Sequence, residues 1–385
     1  MKQLIKRAVT GALSSGKMEK RIVFESNPDL ADNSWPVFKY LLDEGFDKEY
    51  ELCWIVSDAA KYAGLYEGRN VSFFSCDPSD KISRARAAKL YLHSRCIVFC
   101  NKTIWEPREG QLSLFLGHGS PIKTCRGIYT PGAFCNRWTY TSDNLKQIME
   151  QELGLRDGQE ALLGFPRNDA LLEPKGLLDK VVDRRGRKVI FWLPTFRKHK
   201  QQSEVSYDLP GTGLPLLGEE NAIRELCSVL EQNGVMVVLK PHPAQDMSAV
   251  HAVGSDSFAV ISDADLGKAD VRLYEALADS DALMTDYSSV YCDYLVTGKP
   301  IALTFDDIDR YAASRGFVYD DVKAVVKGRY LTRASELFDF VGELSRGEDV
   351  SREERAQANA FFNHYQGGSA ERVAEFIKSY LLENF

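Results

Sequence analysis

Short apolar runs alternate along the chain with stretches whose apolar positions recur at helical spacing. RIVFE (21–25), LCWIV (52–56), IVFC (97–100), LSLFL (112–116), WTYTS (138–142) and ALLGF (161–165) read as buried strands. Between them, SWPVFKYLLDE (34–44) and DNLKQIMEQEL (143–153) carry a helical stripe, with Asp143 placed to cap the second. Residues 173–188, EPKGLLDKVVDRRGRK, are charged and poor in bulky core residues, which predicts a linker or exposed helix. A second series follows: VIFWLP (189–194), VMVVLK (235–240), FAVIS (258–262), DALMTD (281–286) and PIALTF (300–305) as strands. ENAIRELCSVLEQNG (220–234), stopped by Gly234, and VRLYEALADS (271–280) are its helices, and two more close the chain near 351–364 and 369–382. Strands separated by helices imply parallel sheets covered on both faces. The expected fold is therefore α/β, with two Rossmann-like doubly wound domains facing a cleft. Their bounds are 1–175 and 187–365, and 366–385 forms a C-terminal helix packing back on the first.

Composition narrows the function. A chain of 385 residues, 44% apolar and 27% charged, is a globular protein large enough for two cores. A net charge of −7 excludes bulk binding to nucleic acid. No run approaches the roughly 20 apolar residues of a membrane span, and residues 1–21 lack the apolar core of a signal peptide. The eight cysteines, at 53, 76, 96, 100, 125, 135, 227 and 292, form no CxxC pair. They read as reduced thiols of a cytoplasmic protein rather than a zinc or disulfide framework.

Four segments carry candidate chemistry. In LFLGHGSPIK (114–123) a strand runs into a loop with His118 between two glycines, followed by Lys123. Ligands of open α/β sheets bind beyond the carboxyl ends of strands, and an imidazole there suits a general base, unless it serves only the turn. FWLPTFRKHK (191–200) places Arg197 just after a strand, where its planar fork suits a phosphate, unless it is a surface arginine of the basic run that follows. VVLKPHP (237–243) brings Lys240 and His242 to one strand end, stiffened by prolines. In LYEALADSDALMTDYSSVYCDYL (273–295) a strand ends at Asp286, and Tyr287, Ser288 and Ser289 open a helix. Free amides and hydroxyls at such a start form a phosphate cradle, though ordinary capping by Ser288 gives the same pattern.

Taken in order, HGSPIK, GFPRND, LPTFR, LKPHP, TDYSSVYCDYLVTGKPI and RGFVYDD resemble the CDP-glycerol glycerophosphotransferase family of teichoic acid and capsule synthesis, over residues 112 to 321. The resemblance implies a glycosyltransferase-B type fold, with the acceptor in the membrane-facing N-terminal domain and the CDP-alditol in the C-terminal one. His118 falls on the family's HG[TS]P histidine and His242 on its KPHP histidine, which makes them the catalytic candidates. Lys123, Arg167, Arg197, Lys240, Asp286, Ser288, Ser289 and Asp293 fall on elements that would bind substrate. The sequence departs from the family at Gly117, where an aromatic residue is usual, and after Phe317, where VYDDVKAVVKGRY lacks the usual PGP.

The implied reaction moves an alditol phosphate from CDP-glycerol or CDP-ribitol onto a hydroxyl of a lipid-linked saccharide or polyol-phosphate acceptor and releases CMP. No cofactor is required and no residue cluster suggests a metal site, although the donor diphosphate could carry its own Mg²⁺. An anionic membrane surface is an expected partner. Lys2, Lys6, Arg7, Lys17, Lys20 and Arg21 around Leu4, Ile5, Val9 and Leu13 suit a basic amphipathic helix on lipid at the inner face of the cell membrane, and residues 83–95 are a second basic stretch, unless each is only a solvated helix face. The alternatives are a nucleotide-sugar transferase of the same fold, with Glu275 on the donor ribose, and a nucleotide-binding module without catalysis.

Overall fold

The computed structural model describes residues 16–77, 79–101, 106–127, 130–195, 209, 211–242 and 254–385. Its contacts divide the described chain into two compact units. The first takes the residues through Ser120, then Cys125–Asp169 and His364–Phe385; the second takes Pro121–Thr124 and Ala170–Asn363.

The first unit is built on a seven-stranded sheet, β1 (Glu19–Glu25), β2 (Glu51–Val56), β3 (Val71–Ser75), β4 (Ser94–Phe99), β5 (Leu112–Phe115), β6 (Arg137–Tyr140) and β7 (Glu160–Leu162), in the order β3-β2-β1-β4-β5-β6-β7. Every pairing is parallel. Such strands are apolar on both faces because helices cover both. On one face, Ile22, Phe24, Leu52 and Trp54 meet Val37, Phe38 and Leu41 of the helix Ser34–Asp43 and Val373, Ile377 and Leu381 of the helix Ser369–Asn384. On the other, Val23, Ile97 and Phe115 meet Ala87 and Tyr91 of the helix Lys81–Leu92 and Met149 of the helix Asp143–Leu153. Ser142, not Asp143, caps that last helix, accepting from Asn144 N. Asp143 is its first residue and takes the Tyr140 hydroxyl instead, at 2.9 Å.

The second unit repeats the plan with six parallel strands, β8 (Lys188–Leu193), β9 (Val235–Leu239), β10 (Phe258–Val260), β11 (Ala282–Thr285), β12 (Ile301–Thr304) and β13 (Arg329–Leu331), in the order β10-β9-β8-β11-β12-β13. The helices Glu220–Asn233 and Ala334–Arg346 bury Leu226, Leu230, Phe340 and Val341 against Ile190, Val237 and Met284. Gly234 ends the first of them in the left-handed conformation that glycine adopts without strain. Both sheets thus share one winding, reversing direction between β1 and β4 and between β8 and β11, and the expected pair of doubly wound domains is the observed architecture.

The segment 173–188 is neither an exposed helix nor a free linker. It makes a 3₁₀ turn, Leu177–Lys180, with Leu178 fully buried. The Asp279 carboxylate accepts from Lys175 N, Gly176 N and Leu178 N at 2.8–2.9 Å, so a charged stretch is docked by its backbone.

Candidate active site

In an open parallel sheet the crevice beside the strand-order reversal, at the carboxyl ends, is where loops diverge and leave room for a ligand. In the first unit those ends belong to β1, β4 and β5. The chain leaving β5 turns at Gly117, whose φ of +69° favours glycine, and presents His118, which is exposed. His118 Nδ1 lies 3.4 Å from Cys100 O, just past β4. Behind the loop, Asn33 is fully buried and donates through Nδ2 to Gly117 O at 2.9 Å. Arg167 donates to Asp32 Oδ1 at 2.7 Å and to His118 O at 2.9 Å, so its guanidinium serves the protein beneath the histidine. Asp169, two residues on, accepts from Ser369 N and Ala370 N at 3.0 and 2.8 Å and caps the C-terminal helix. Burial pushes the Cys100 thiol well above its ordinary value, with the Asp32 charge adding to it, which suits a packing residue and not a nucleophile.

In the second unit the relevant ends are those of β9, β8 and β11, adjacent in the sheet and so spaced about 5 Å apart. Asp286, fully buried past β11, accepts from Thr195 N at 2.8 Å and from the Thr195 hydroxyl at 2.5 Å. It also takes its neighbour Tyr287 N at 2.6 Å. This carboxylate fastens the β8 and β11 loops together. Tyr287 is fully buried against Phe305, Tyr311 and Phe317 and donates to Asp307 Oδ1 at 2.9 Å. Ser288 and Ser289 are partly exposed, Ser288 Oγ accepting from Val290 N at 3.5 Å, ahead of the short helix Val290–Tyr294. Asp293 is buried in that helix and accepts from the Tyr274 hydroxyl at 2.5 Å, pinning it to the helix Leu273–Ala278.

Lys240 follows β9 with its ammonium 2.9 Å from Asp263, and His242 is exposed two residues later. Lys123 belongs to the second unit, bridging antiparallel to Phe317, with Val318 N donating to Ile122 O at 2.9 Å. Two of the motifs read from the sequence, HGSPIK and RGFVYDD, meet in this bridge. Arg197 lies outside the described residues, as do residues 1–15 of the basic N-terminal stretch; its Lys20 and Arg21 are not on a helix but in β1, paired with Glu49 and Glu51 at 2.7 and 2.6 Å. Glu275 accepts from Arg272 N at 2.8 Å as part of its helix start, and so lends no particular support to a sugar-nucleotide reading.

Among the described residues, one carboxylate cluster has ligand-like spacing, Glu150, Asp157 and Glu160. The Lys146 ammonium lies 4.0, 2.7 and 2.5 Å from these three, which makes it an ion-pair network. The residues that the sequence reading missed are Asp32 and Asn33. The local signal for them is a stretch rich in turn-forming residues, Ser26 to Asn33, directly after a buried strand.

Comparison with known proteins decides the family. The description of the CDP-glycerol:poly(glycerophosphate) glycerophosphotransferase family matches residues 9–379. The chain belongs to that family. It is 25% identical to the teichoic acid glycerol-phosphate primase of Bacillus subtilis (strain 168) over 63% of this chain and 57% of the primase. It is 24% identical to the teichoic acid glycerol-phosphate transferase of Staphylococcus aureus (strain NCTC 8325 / PS 47), over 98% of each chain. The structure of the wall teichoic acid polymerase TagF superposes with a TM-score of 0.69 at 18% identity, over 100% of this chain and 96% of that one, a likeness of fold. The chain spans little more than half the length of the B. subtilis primase. In this glycerophosphotransferase-family chain His118, His242 and the DYSS element follow the carboxyl ends of β5, β9 and β11.

Proposed function

We propose that the protein transfers glycerol phosphate, or another alditol phosphate, from its CDP derivative to a hydroxyl of a lipid-linked or polymeric acceptor. The acceptor oxygen bonds to the phosphorus nearest the alditol, the bond from that phosphorus to the bridging oxygen breaks, and CMP leaves with that oxygen. His118, in the N-terminal unit, takes the acceptor's proton, a role worth about 10²–10⁴-fold in rate. His242, Lys240, Arg197 and the backbone amides around Ser288 and Ser289 hold the donor diphosphate and meet its growing charge. Asp286 and Asp293 act one step back, setting the loops that carry these groups. The enzyme works from the cytoplasmic side, held at the anionic inner face of the membrane by its basic N-terminal stretch, because a lipid-linked acceptor stays in the bilayer.

The observation that carries this reading is the placement of the family elements. HG-S-P, K-P-H-P and D-Y-S-S each leave the carboxyl end of a strand, and β9, which precedes K-P-H-P, and β11, which precedes D-Y-S-S, both flank β8. The test offers CDP-glycerol, CDP-ribitol and UDP-sugars in parallel with acceptor. CMP release from a CDP-alditol supports the reading; UDP release from a UDP-sugar supports the glycosyltransferase alternative; no release with retained nucleotide binding supports a binding module.

A further inference from the structure

We propose that Arg167, acting with Asp32 and Asn33, is a positioning residue that fixes the backbone of His118 and thereby selects the ring nitrogen that works as the base; this rests on His118 being that base. The three residues come from two different loops. Asp32 and Asn33 follow β1, Arg167 follows β7, and the histidine follows β5. Asn33 Nδ2 donates to Gly117 O at 2.9 Å while Asn33 Oδ1 accepts from Arg167 N at 3.0 Å. Arg167 Nη1 and Nη2 then reach Asp32 Oδ1 and His118 O, at 2.7 and 2.9 Å.

The two anchored carbonyls belong to the peptide planes on either side of the His118 Cα. A peptide plane is rigid, so holding both planes sets φ and ψ of the residue between them. Only the side-chain torsions remain, and they are met by the Cys100 carbonyl 3.4 Å from Nδ1. A carbonyl can only accept, so this contact favours hydrogen on Nδ1 and leaves the lone pair on Nε2. The arrangement needs arginine, because a planar fork spans two acceptors in fixed directions and an ammonium does not. Asp32 sits at φ of 53°, a left-handed conformation that aspartate tolerates, and its Oδ1 also accepts from Asn33 N at 2.9 Å, which ties the two residues of this loop together. Arg167 is 8% exposed and Asn33 0%, so the network is shielded from water while the ring it serves is exposed.

The experiment uses the full chain with CDP-glycerol and acceptor, and compares Arg167→Lys, Arg167→Ala and His118→Gln. Steady-state kinetics are read together with imidazole ¹⁵N spectra, the His118 signals being assigned as those lost in His118→Gln. The expected result for Arg167→Lys is a kcat lower by about 10–100-fold with the donor KM within about twofold, the signature of misplacement rather than lost binding. The His118 signals should move away from the Nδ1–H pattern, and guanidinium ion should restore part of the kcat of Arg167→Ala. The proposal is overturned if a folded Arg167 variant keeps its kcat within about twofold. It is equally overturned if kcat falls while the His118 signals stay as in the wild type, since that is a purely structural role. If both Arg167 variants fail to fold, Asp32→Asn takes their place: a lower kcat with shifted His118 signals supports the proposal, and an unchanged kcat or unshifted signals overturn it. Near-normal turnover by His118→Gln would instead remove the base assignment itself. An inactive His118→Gln beside unaltered Arg167 variants would sink the positioning role alone.

Discussion

Glu25 ends β1 beside the reversal point of the first sheet, and its carboxyl accepts a hydrogen bond from the Tyr91 hydroxyl at 2.9 Å. Removal from water pushes its pKa up to about 7, against the downward pull of that hydrogen bond. Glu25→Gln takes away the charge and keeps both the shape and an acceptor for Tyr91. The native form prefers the protonated carboxyl, so the group's contribution to stability is fully present below its unfolded pKa of 4.5 and is lost as pH rises through about 7. At about 1.4 kcal/mol per unit, the full loss is about 3.5 kcal/mol, and water reaching a partly exposed side chain reduces it to about 2–3 kcal/mol. The variant should therefore match the wild type near pH 4.5 and exceed it by about 2 kcal/mol near pH 8.5, or about 4–8 °C for a unit of this size. Thermal unfolding of both proteins over that pH range, plotted as a difference, gives the answer. A difference that is flat with pH, or that favours the wild type at high pH, would refute the reasoning.

Four further outcomes are expected. Asp169→Ala should cost about 1–2 kcal/mol by removing the cap of the C-terminal helix, seen as faster hydrogen exchange in residues 369–384. Asp286→Asn should destabilise the second unit by about 1–3 kcal/mol, because an amide cannot accept from Thr195 N, the Thr195 hydroxyl and Tyr287 N together; unchanged denaturation would show that the carboxylate is not what fastens the two loops. His242→Ala should weaken CDP-glycerol binding as well as turnover, and an unaltered calorimetric affinity would take His242 out of donor binding. Deleting residues 1–17 should reduce co-sedimentation with anionic liposomes, more at low salt than at high; equal sedimentation of both forms would move the membrane contact to the helix Lys81–Leu92.

Most strands were legible because interior strands are apolar on both faces and so appear as unbroken runs. The two strands that escaped, β3 and β13, are both edges. Val71 to Phe74 are each only partly buried, and β13 is three residues long, so neither leaves a continuous apolar signal. The family motifs marked where chemistry is expected but not how it is supported. Asn33 meets Gly117 across 84 positions and Arg167 across 134, and no local pattern encodes such pairings. For the same reason the sequence does not show that Arg167, Asp286 and Asp293 also join loops and helices, as they do through Asp32, Thr195 and Tyr274.

The most direct measurement follows the fate of the donor. CDP-glycerol labelled in the glycerol and in the adjoining phosphate is incubated with enzyme and a lipid-linked acceptor, and CMP and acceptor-bound label are quantified together. Both labels should enter the acceptor in equal amounts, matched one for one by CMP, and His118→Ala should abolish all three. Glycerol transferred without its phosphate, or CMP formed with no label on the acceptor, would contradict the proposed transfer.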